Sequence, residues 1–247
     1  MAQGRPAALV TGSASGIGRA AALRLARAGY DVAINYRRSA GAAEQTLRDL
    51  EGCGGRHIAV QADVSDEPAV VAMVAAVGDA YGRLDALVNN AGISGELGPG
   101  SVQDPTTLDL DLVRTVVETN VIGVIRVTNA MLPLLRRSSS PRIVNISSSV
   151  GSVTRQADPD IEIGSVMAAY APSKSFLNAV TVQYARQFAD TNILINVACP
   201  GLVATDFTGF FGPRTPEQGA ATAIRLATLP DDGPSGAFFE DEGVVPW

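Results

Sequence analysis

Tyr170 and Lys174 stand four residues apart in Tyr-Ala-Pro-Ser-Lys, and three consecutive serines, Ser147, Ser148 and Ser149, lie upstream at the end of a Val/Ile-rich segment. Positions i and i+4 of a helix share a face, so the Lys174 ammonium is expected close to the Tyr170 phenol, where it would favour the ionised form. Bringing a phenol from ~10 to about 7 takes roughly 4 kcal/mol of differential stabilisation. One nearby cation at an effective dielectric of about 20 supplies energy of that order. A tyrosine adjusted in this way becomes a useful proton carrier. The same spacing also arises when an exposed tyrosine sits beside a solvated lysine, and the start of the chain decides between the two readings.

Pro6 to Thr11 is a short apolar run suited to a buried parallel strand, and it leads directly into Gly12-Ser13-Ala14-Ser15-Gly16-Ile17-Gly18 and a helix-spaced segment through Ala28. Strand, glycine turn and helix in that order are what a dinucleotide site needs, because glycines let backbone N–H groups approach a pyrophosphate at the positive end of a helix. The spacing is GxxxGxG, not GxGxxG. Further along come Asn89-Asn90-Ala91-Gly92, Asn120 within Glu-Thr-Asn-Val-Ile-Gly, the serine segment from Asn145 to Gly151, Tyr170 to Lys174, and Pro200-Gly201-Leu202-Val203-Ala204-Thr205.

With these six motifs in order the chain resembles the short-chain dehydrogenase/reductase family, over nearly its whole length. The resemblance implies hydride transfer between nicotinamide C4 and a ketone or secondary alcohol. It implies Tyr170 as acid or base, Ser148 holding the substrate oxygen, Lys174 also bonding the nicotinamide ribose, and Asn120 holding a water in a proton relay. It implies cofactor contacts from Gly12, Ser13, Ser15, Gly16, Ile17 and Gly18, from Asp63 and Val64 at the adenine, and from Asn90, Ala91 and Gly92. Pro200, Gly201, Val203 and Thr205 would meet the nicotinamide amide. Some residues keep a second reading: Ser147 and Ser149 compete with Ser148, Asp63 could cap the following helix, and Asn120 could mark a kink.

The choice of nicotinamide cofactor turns on the end of the second strand, where an acid would bond the ribose hydroxyls. This chain has Asn35-Tyr36-Arg37-Arg38-Ser39 there, without an acid. A guanidinium can grip a 2′-phosphate, so Arg37, assisted by Arg38 or Ser39, points to NADP(H) over NAD(H), although two loop arginines can also be merely solvated. In reduction, negative charge builds on the substrate oxygen, which calls for a proton donor and a fixed hydrogen bond in a dry pocket.

Two departures from the family pattern bear on the substrate. The segment from Ser148 to Tyr170 is longer than in most compact members, so residues 152–168 are read as a substrate-loop insertion, and its Asp158, Asp160 and Glu162 disfavour strongly anionic substrates. The tail from Gly236 to Trp247 resembles carbonyl-reductase-type members more than 3-oxoacyl-carrier-protein reductases. Ser138 to Ser140 and Asp190-Thr191 offer no basic docking for a carrier. A free small ketone is therefore expected, with a 3-oxoacyl thioester reductase or a regulator that binds NADP(H) without turnover as alternatives.

The elements that must position these residues alternate along the chain. Strands are expected at Ala7–Thr11, Asp31–Asn35, His57–Gln61, Ala86–Val88, Ile143–Ile146, Leu194–Ala198 and Ala237–Phe239. Helices are expected at Gly16–Ala28, Ala40–Glu51, Glu67–Tyr81, Leu108–Arg136 (broken in two), Ala169–Ala189 and Glu217–Leu229. This predicts an α/β fold, a doubly wound parallel sheet of Rossmann type with helices on both faces, in one domain over residues 1–247. The glycine turn, Arg37, Asp63, Asn90, Ser148 and Pro200 each fall at a strand's carboxyl end, where such sheets bind ligands.

A chain of 247 residues with 46% hydrophobic content can bury one substantial core. Net charge of −6 and the lack of a basic cluster argue against a nucleic-acid surface. One histidine, His57, and two separated cysteines, Cys53 and Cys199, argue against a metal site and suggest reduced thiols. No apolar run is long enough for a membrane span or secretion signal, so a cytoplasmic protein is expected. The apolar helices around 108–136 and 169–189 suggest a homodimer or homotetramer.

Overall fold

Short apolar runs become strands, the central ones buried on both faces, and the segments between them become helices that cover the sheet. The computed structural model describes residues 4–95 and 102–247. The strands are β1 (Ala7–Val10), β2 (Asp31–Tyr36), β3 (His57–Gln61), β4 (Ala86–Asn89), β5 (Arg142–Ile146), β6 (Leu194–Ala198), β7 (Phe238–Glu240) and β8 (Gly243–Val244). The helices are α1 (Gly16–Arg27), α2 (Ala40–Glu51), α3 (Glu67–Tyr81), α4 (Leu110–Val117), α5 (Gly123–Leu135), α6 (Val153–Ala157), α7 (Tyr170–Gln187), α8 (Pro216–Gly219) and α9 (Ala221–Ala227).

The strand order is β3-β2-β1-β4-β5-β6-β7-β8, parallel except for the antiparallel β7–β8 pair. The chain winds outward from β1 in one direction through β2 and β3, then crosses back to β4 and winds the other way. The crevice at that reversal lies between the carboxyl ends of β1 and β4, where doubly wound sheets hold ligands. Neighbouring strand residues face opposite layers, as the two-residue period requires. Val10, Ile34 and Val88 pack with Ala20 to Ala22 and Leu25 of α1 and Leu226 of α9. Leu9, Leu87 and Ile143 pack on the other side with Met73 of α3 and Met131 of α5.

Most expected elements are present, with shifted ends. The helix expected over Leu108–Arg136 is interrupted by a π-helical turn, Glu118–Ile122, which runs directly into α5. The stretch Glu217–Leu229 is two short helices, α8 and α9, with Ala220 between them. The two-residue β8 and the five-residue α6 carry too little periodicity for sequence reading. β5 begins at Arg142, one residue earlier than expected, because its guanidinium is buried. Its Nε donates to the Leu229 carbonyl at 2.9 Å, Nη1 to the Pro141 carbonyl at 3.1 Å and Nη2 to Asp231 Oδ1 at 2.6 Å.

His57 is a satisfied residue of the edge strand: its Nδ1 accepts from the Val32 amide at 3.2 Å. Cys53 and Cys199 are free thiols. Among the described residues no helix is long and apolar enough to cross a membrane. Residues 1–3, part of the expected single domain, lie outside the described residues.

Candidate active site

The glycine turn is built by exclusion. Gly12 and Gly16 have φ of +61° and +56°, the left-handed region that favours residues without a Cβ. A Cβ on Gly18 would lie 2.5 Å from both Asn90 Nδ2 and the Gly12 carbonyl oxygen. Asn90 is the bolt of the turn, since its Nδ2 donates to the carbonyls of Thr11 at 2.9 Å and Gly12 at 3.0 Å. The Thr11 hydroxyl accepts in return from the amides of Asn90 and Ala91 at 2.9 and 3.0 Å. From the next strand, Asn35 Oδ1 accepts from the Gly12 amide at 3.1 Å. The loops after β1 and β4 are thus locked together across the switch point.

The reacting end is assembled from α7 and the loops after β4 and β5. Tyr170 opens α7, and the Gln103 Oε1 receives the amides of Ala169 at 2.9 Å and Tyr170 at 3.2 Å. One turn on, Lys174 Nζ lies 5.6 Å from the Tyr170 ring centroid and donates to the Ile146 carbonyl at 2.9 Å. Ser148 precedes the short turn Ser149–Gly151. Asn120, in the π-helical turn, accepts from the Ile93 amide through Oδ1 at 2.8 Å and donates through Nδ2 to the Ile93 carbonyl and Ser173 Oγ. A Cβ on Gly92 would meet Asn120 Oδ1 at 3.1 Å and Lys174 Nζ at 3.7 Å, so these three converge.

Burial governs the titration of this group. It pushes the Tyr170 phenol up from its ordinary value, Cys199 adds in the same direction, and the hydrogen bond with Ser148 pulls back. Burial also pulls the Lys174 ammonium down to about 8. The expected depression of the phenol by Lys174 is therefore not met. The ammonium is bonded to the Ile146 carbonyl and lies toward the ring, and desolvation dominates at the phenol.

These parts face one cleft of about 760 Å³. Its lining includes Gly12, Ser15, Gly16, Ile17, Gly18, Arg37, Asp63, Val64, Asn90, Ala91, Gly92, Ser148, Tyr170, Lys174, Pro200, Gly201, Val203 and Thr205. Three sequence candidates sit elsewhere. Ser13 is fully buried, its hydroxyl donating to the Val10 carbonyl at 2.6 Å and accepting from the Asn35 amide, because it braces the turn from beneath. Arg38 is exposed and outside the lining, one residue past the point where the chain leaves the sheet. Asn120 is fully buried behind the cleft wall, its side chain consumed by Ile93 and Ser173.

The bracing roles of Gln103, Thr11 and Asn35 depend on partners distant in the chain, which motif spacing does not reveal. Spacing also assigns nothing to Phe207, whose ring centroid is 5.5 Å from that of Tyr170. A signal for it existed, since Phe207, Phe210 and Phe211 fall within five residues of a chain with seven phenylalanines.

A dinucleotide fits the other end on the cleft's own features. The α1 N-terminus opens on the cleft behind glycines that side chains would fill, and its first amides lack intrahelical partners. Arg37 stands at the β2 end, 3.5 Å from Asp63 Oδ2 and half exposed. Asp63 is held below the usual carboxylate range: burial pushes it up, but hydrogen bonds from Ser65 and the Arg37 guanidinium prevail.

The short chain dehydrogenase family model matches residues 6–214. The chain is 35% identical over 225 residues to the 3-oxoacyl-[acyl-carrier-protein] reductase FabG of Staphylococcus aureus, covering 91% of this chain and 85% of that protein. It is 31% identical to (+)-neomenthol dehydrogenase of Capsicum annuum, with 96% of each chain covered. Among solved structures, a short chain dehydrogenase from Burkholderia cenocepacia in complex with NADP superposes with a TM-score of 0.79 at 32% identity, over 96% of this chain and 95% of that one.

Proposed function

Since the chain belongs to the short-chain dehydrogenase family, we propose that it is an NADP(H)-dependent reductase of uncharged, apolar ketones, working reversibly on the corresponding secondary alcohols. The observation that carries the reading is the convergence of Ser148, Tyr170 and Lys174 on one cleft whose far end holds the glycine turn and Arg37.

The nicotinamide, when bound, supplies or takes the hydride. Tyr170 gives its phenolic proton to the carbonyl oxygen as charge develops there, and Ser148 donates a hydrogen bond that fixes the same oxygen. A phenol that burial pushes up from its ordinary value suits a proton donor. The Lys174 ammonium compensates the phenolate left after transfer. The glycine turn and α1 would hold the pyrophosphate, Arg37 the 2′-phosphate, and Val203 and Thr205 the carboxamide. Asn120, through Ile93, keeps the β4 loop in place behind Lys174. Residues 152–168 form one wall of the substrate end within a single unit.

The preference for NADP(H) is supported by Arg37 and by the NADP in the Burkholderia structure. Replacing Arg37 with alanine is expected to lower the kcat/KM ratio of NADPH over NADH by about 10- to 100-fold, the loss of one charge-assisted phosphate contact. Unchanged selectivity would remove Arg37 from the reading.

The buried amine predicts the alkaline limb. Lys174 is cationic below about 8 and neutral above it, so the phenolate loses its counter-charge as pH rises. Ketone reduction is expected to decline above pH 8, with the group near 8 reported by the kcat/KM profile. A profile flat to pH 10 contradicts this role.

The S. aureus relative gives a second reading, reduction of a 3-oxoacyl thioester. The substrate end favours a free ketone, since Ile163, Met167, Leu202, Phe207 and Phe211 line it. NADPH oxidation with a panel of cyclic, aryl and aliphatic ketones beside a short 3-oxoacyl thioester tests both. No turnover with any would leave the regulator that binds without reacting.

A further inference from the structure

The C-terminal hairpin carries two consecutive carboxylates, Glu240 at the end of β7 and Asp241 in the turn, and they reach in different directions. Glu240 meets Arg155 of α6 as a two-point fork, Oε2 to Nη1 at 3.0 Å and Oε1 to Nη2 at 2.5 Å. Both side chains are about one-fifth exposed, which limits screening. Asp241 takes the Arg214 guanidinium and also the Thr222 hydroxyl at 2.6 Å. One hairpin thereby grips two separate pieces of chain.

Those pieces do not line the cleft themselves but back two parts of the chain that do, the Ser148–Val150 turn with the segment that runs on to Ile163 and Met167, and the loop that carries Leu202, Phe207 and Phe211. α6 follows the Ser148 turn and is tied to it by Gln156, whose Nε2 donates to the Val150 carbonyl. The tail holds α6 a second time, through the Trp247 carbonyl oxygen, which accepts from the Thr154 amide at 2.8 Å. Arg214 closes the opposite loop, its carbonyl accepting from the Ala204 amide at 2.9 Å. That loop brings Phe207 and Phe211 to the cleft. It also contains Phe210 at φ +60°, a left-handed conformation that a bulky residue holds only when its surroundings enforce it. The hairpin itself is fixed to the site, because the Cys199 amide donates to the Phe239 carbonyl at 2.7 Å just before Pro200.

We propose that Glu240 and Asp241 form a carboxylate clamp that sets the spacing of the two substrate walls, making them positioning residues for the ketone. The inference rests on the reductase reading for its kinetic test only. Neither carboxylate lines the cleft, so their effect passes through Arg155 and Arg214.

Glu240→Gln and Asp241→Asn are each expected to raise the KM for a ketone substrate by about tenfold, since small misplacements of a binding wall cost rates of that order. For Glu240→Gln the Kd for NADPH is expected to stay within about twofold, because α6 lies away from the dinucleotide end, whereas Asp241→Asn also loosens the loop of Val203 and Thr205 and is judged on its ketone KM. Exchanging the partners, Arg155→Glu with Glu240→Arg, is expected to bring KM back to within about threefold of the parent. Unchanged KM in the single variants overturns the clamp. So does a parallel rise in NADPH Kd with no recovery on exchange, which would make the tail a general support of the fold. If the unaltered protein reduces no ketone, the reductase reading fails and hydrogen exchange judges the clamp separately. Glu240→Gln should then speed exchange in 153–157 and Asp241→Asn in 202–214 by at least about tenfold, with β4 unaffected. Equal exchange in variant and parent overturns it.

Discussion

Tyr170→Phe is expected to lower kcat for ketone reduction by about 10²- to 10⁴-fold, the usual worth of a positioned general acid. NADPH affinity should stay within about twofold. The ring is retained, so its packing with Phe207 at 5.5 Å and with the Lys174 ammonium survives. Only the hydroxyl is lost, and with it the proton source and the hydrogen bond with Ser148. A single-turnover measurement with pre-bound NADPH separates this loss from binding. Residual turnover within tenfold of the parent would mean that solvent, not the phenol, supplies the proton. In that case Ser148→Ala would be the more damaging change.

The second large effect concerns stability. Arg142 is only 2% exposed, and its guanidinium satisfies the carbonyls of Leu229 and Pro141 before reaching Asp231 at the surface. Arg142→Ala leaves a cavity and orphaned carbonyls beside β5, with an expected cost of about 3–5 kcal/mol. Asp231 is largely exposed, so Asp231→Asn should shift the denaturation midpoint far less. Urea unfolding of the two variants checks the contrast. Equal shifts would place the stabilisation in the ion pair and not in the carbonyl contacts.

The sequence announced the parts of this molecule that are local. β1, the glycine turn and α1 are contiguous, and Tyr170 and Lys174 share one helix face, so spacing alone relates them. What it could not announce depends on partners far along the chain. Arg142 lies outside the expected strand because it is charged, yet β5 starts on it because the distant Leu229 carbonyl and Asp231 carboxylate, with the adjacent Pro141 carbonyl, satisfy the guanidinium. Ser13 belongs to the same glycine motif as Ser15, but its hydroxyl turns inward to Val10 while Ser15 lines the cleft. Asn120 sits in a helix broken by a π turn, where its amide is committed to Ile93. The direction of the Tyr170 shift was also illegible, since burial depends on the whole fold and dominates at the phenol.

The strand order has a consequence for biosynthesis. β1 lies between β2 and β4, so Ala8 pairs with both Val32 and Ala86, and the second pairing waits for a long stretch of nascent chain. The glycine turn and Arg37 belong to the early half, whereas Ser148, Tyr170 and the phenylalanine loop leave the ribosome later. A translation product cut short between β4 and β5 would carry the glycine turn and Arg37 without the proton donor, and its Ala86 and Val88 would lack the β5 partners Arg142 and Val144.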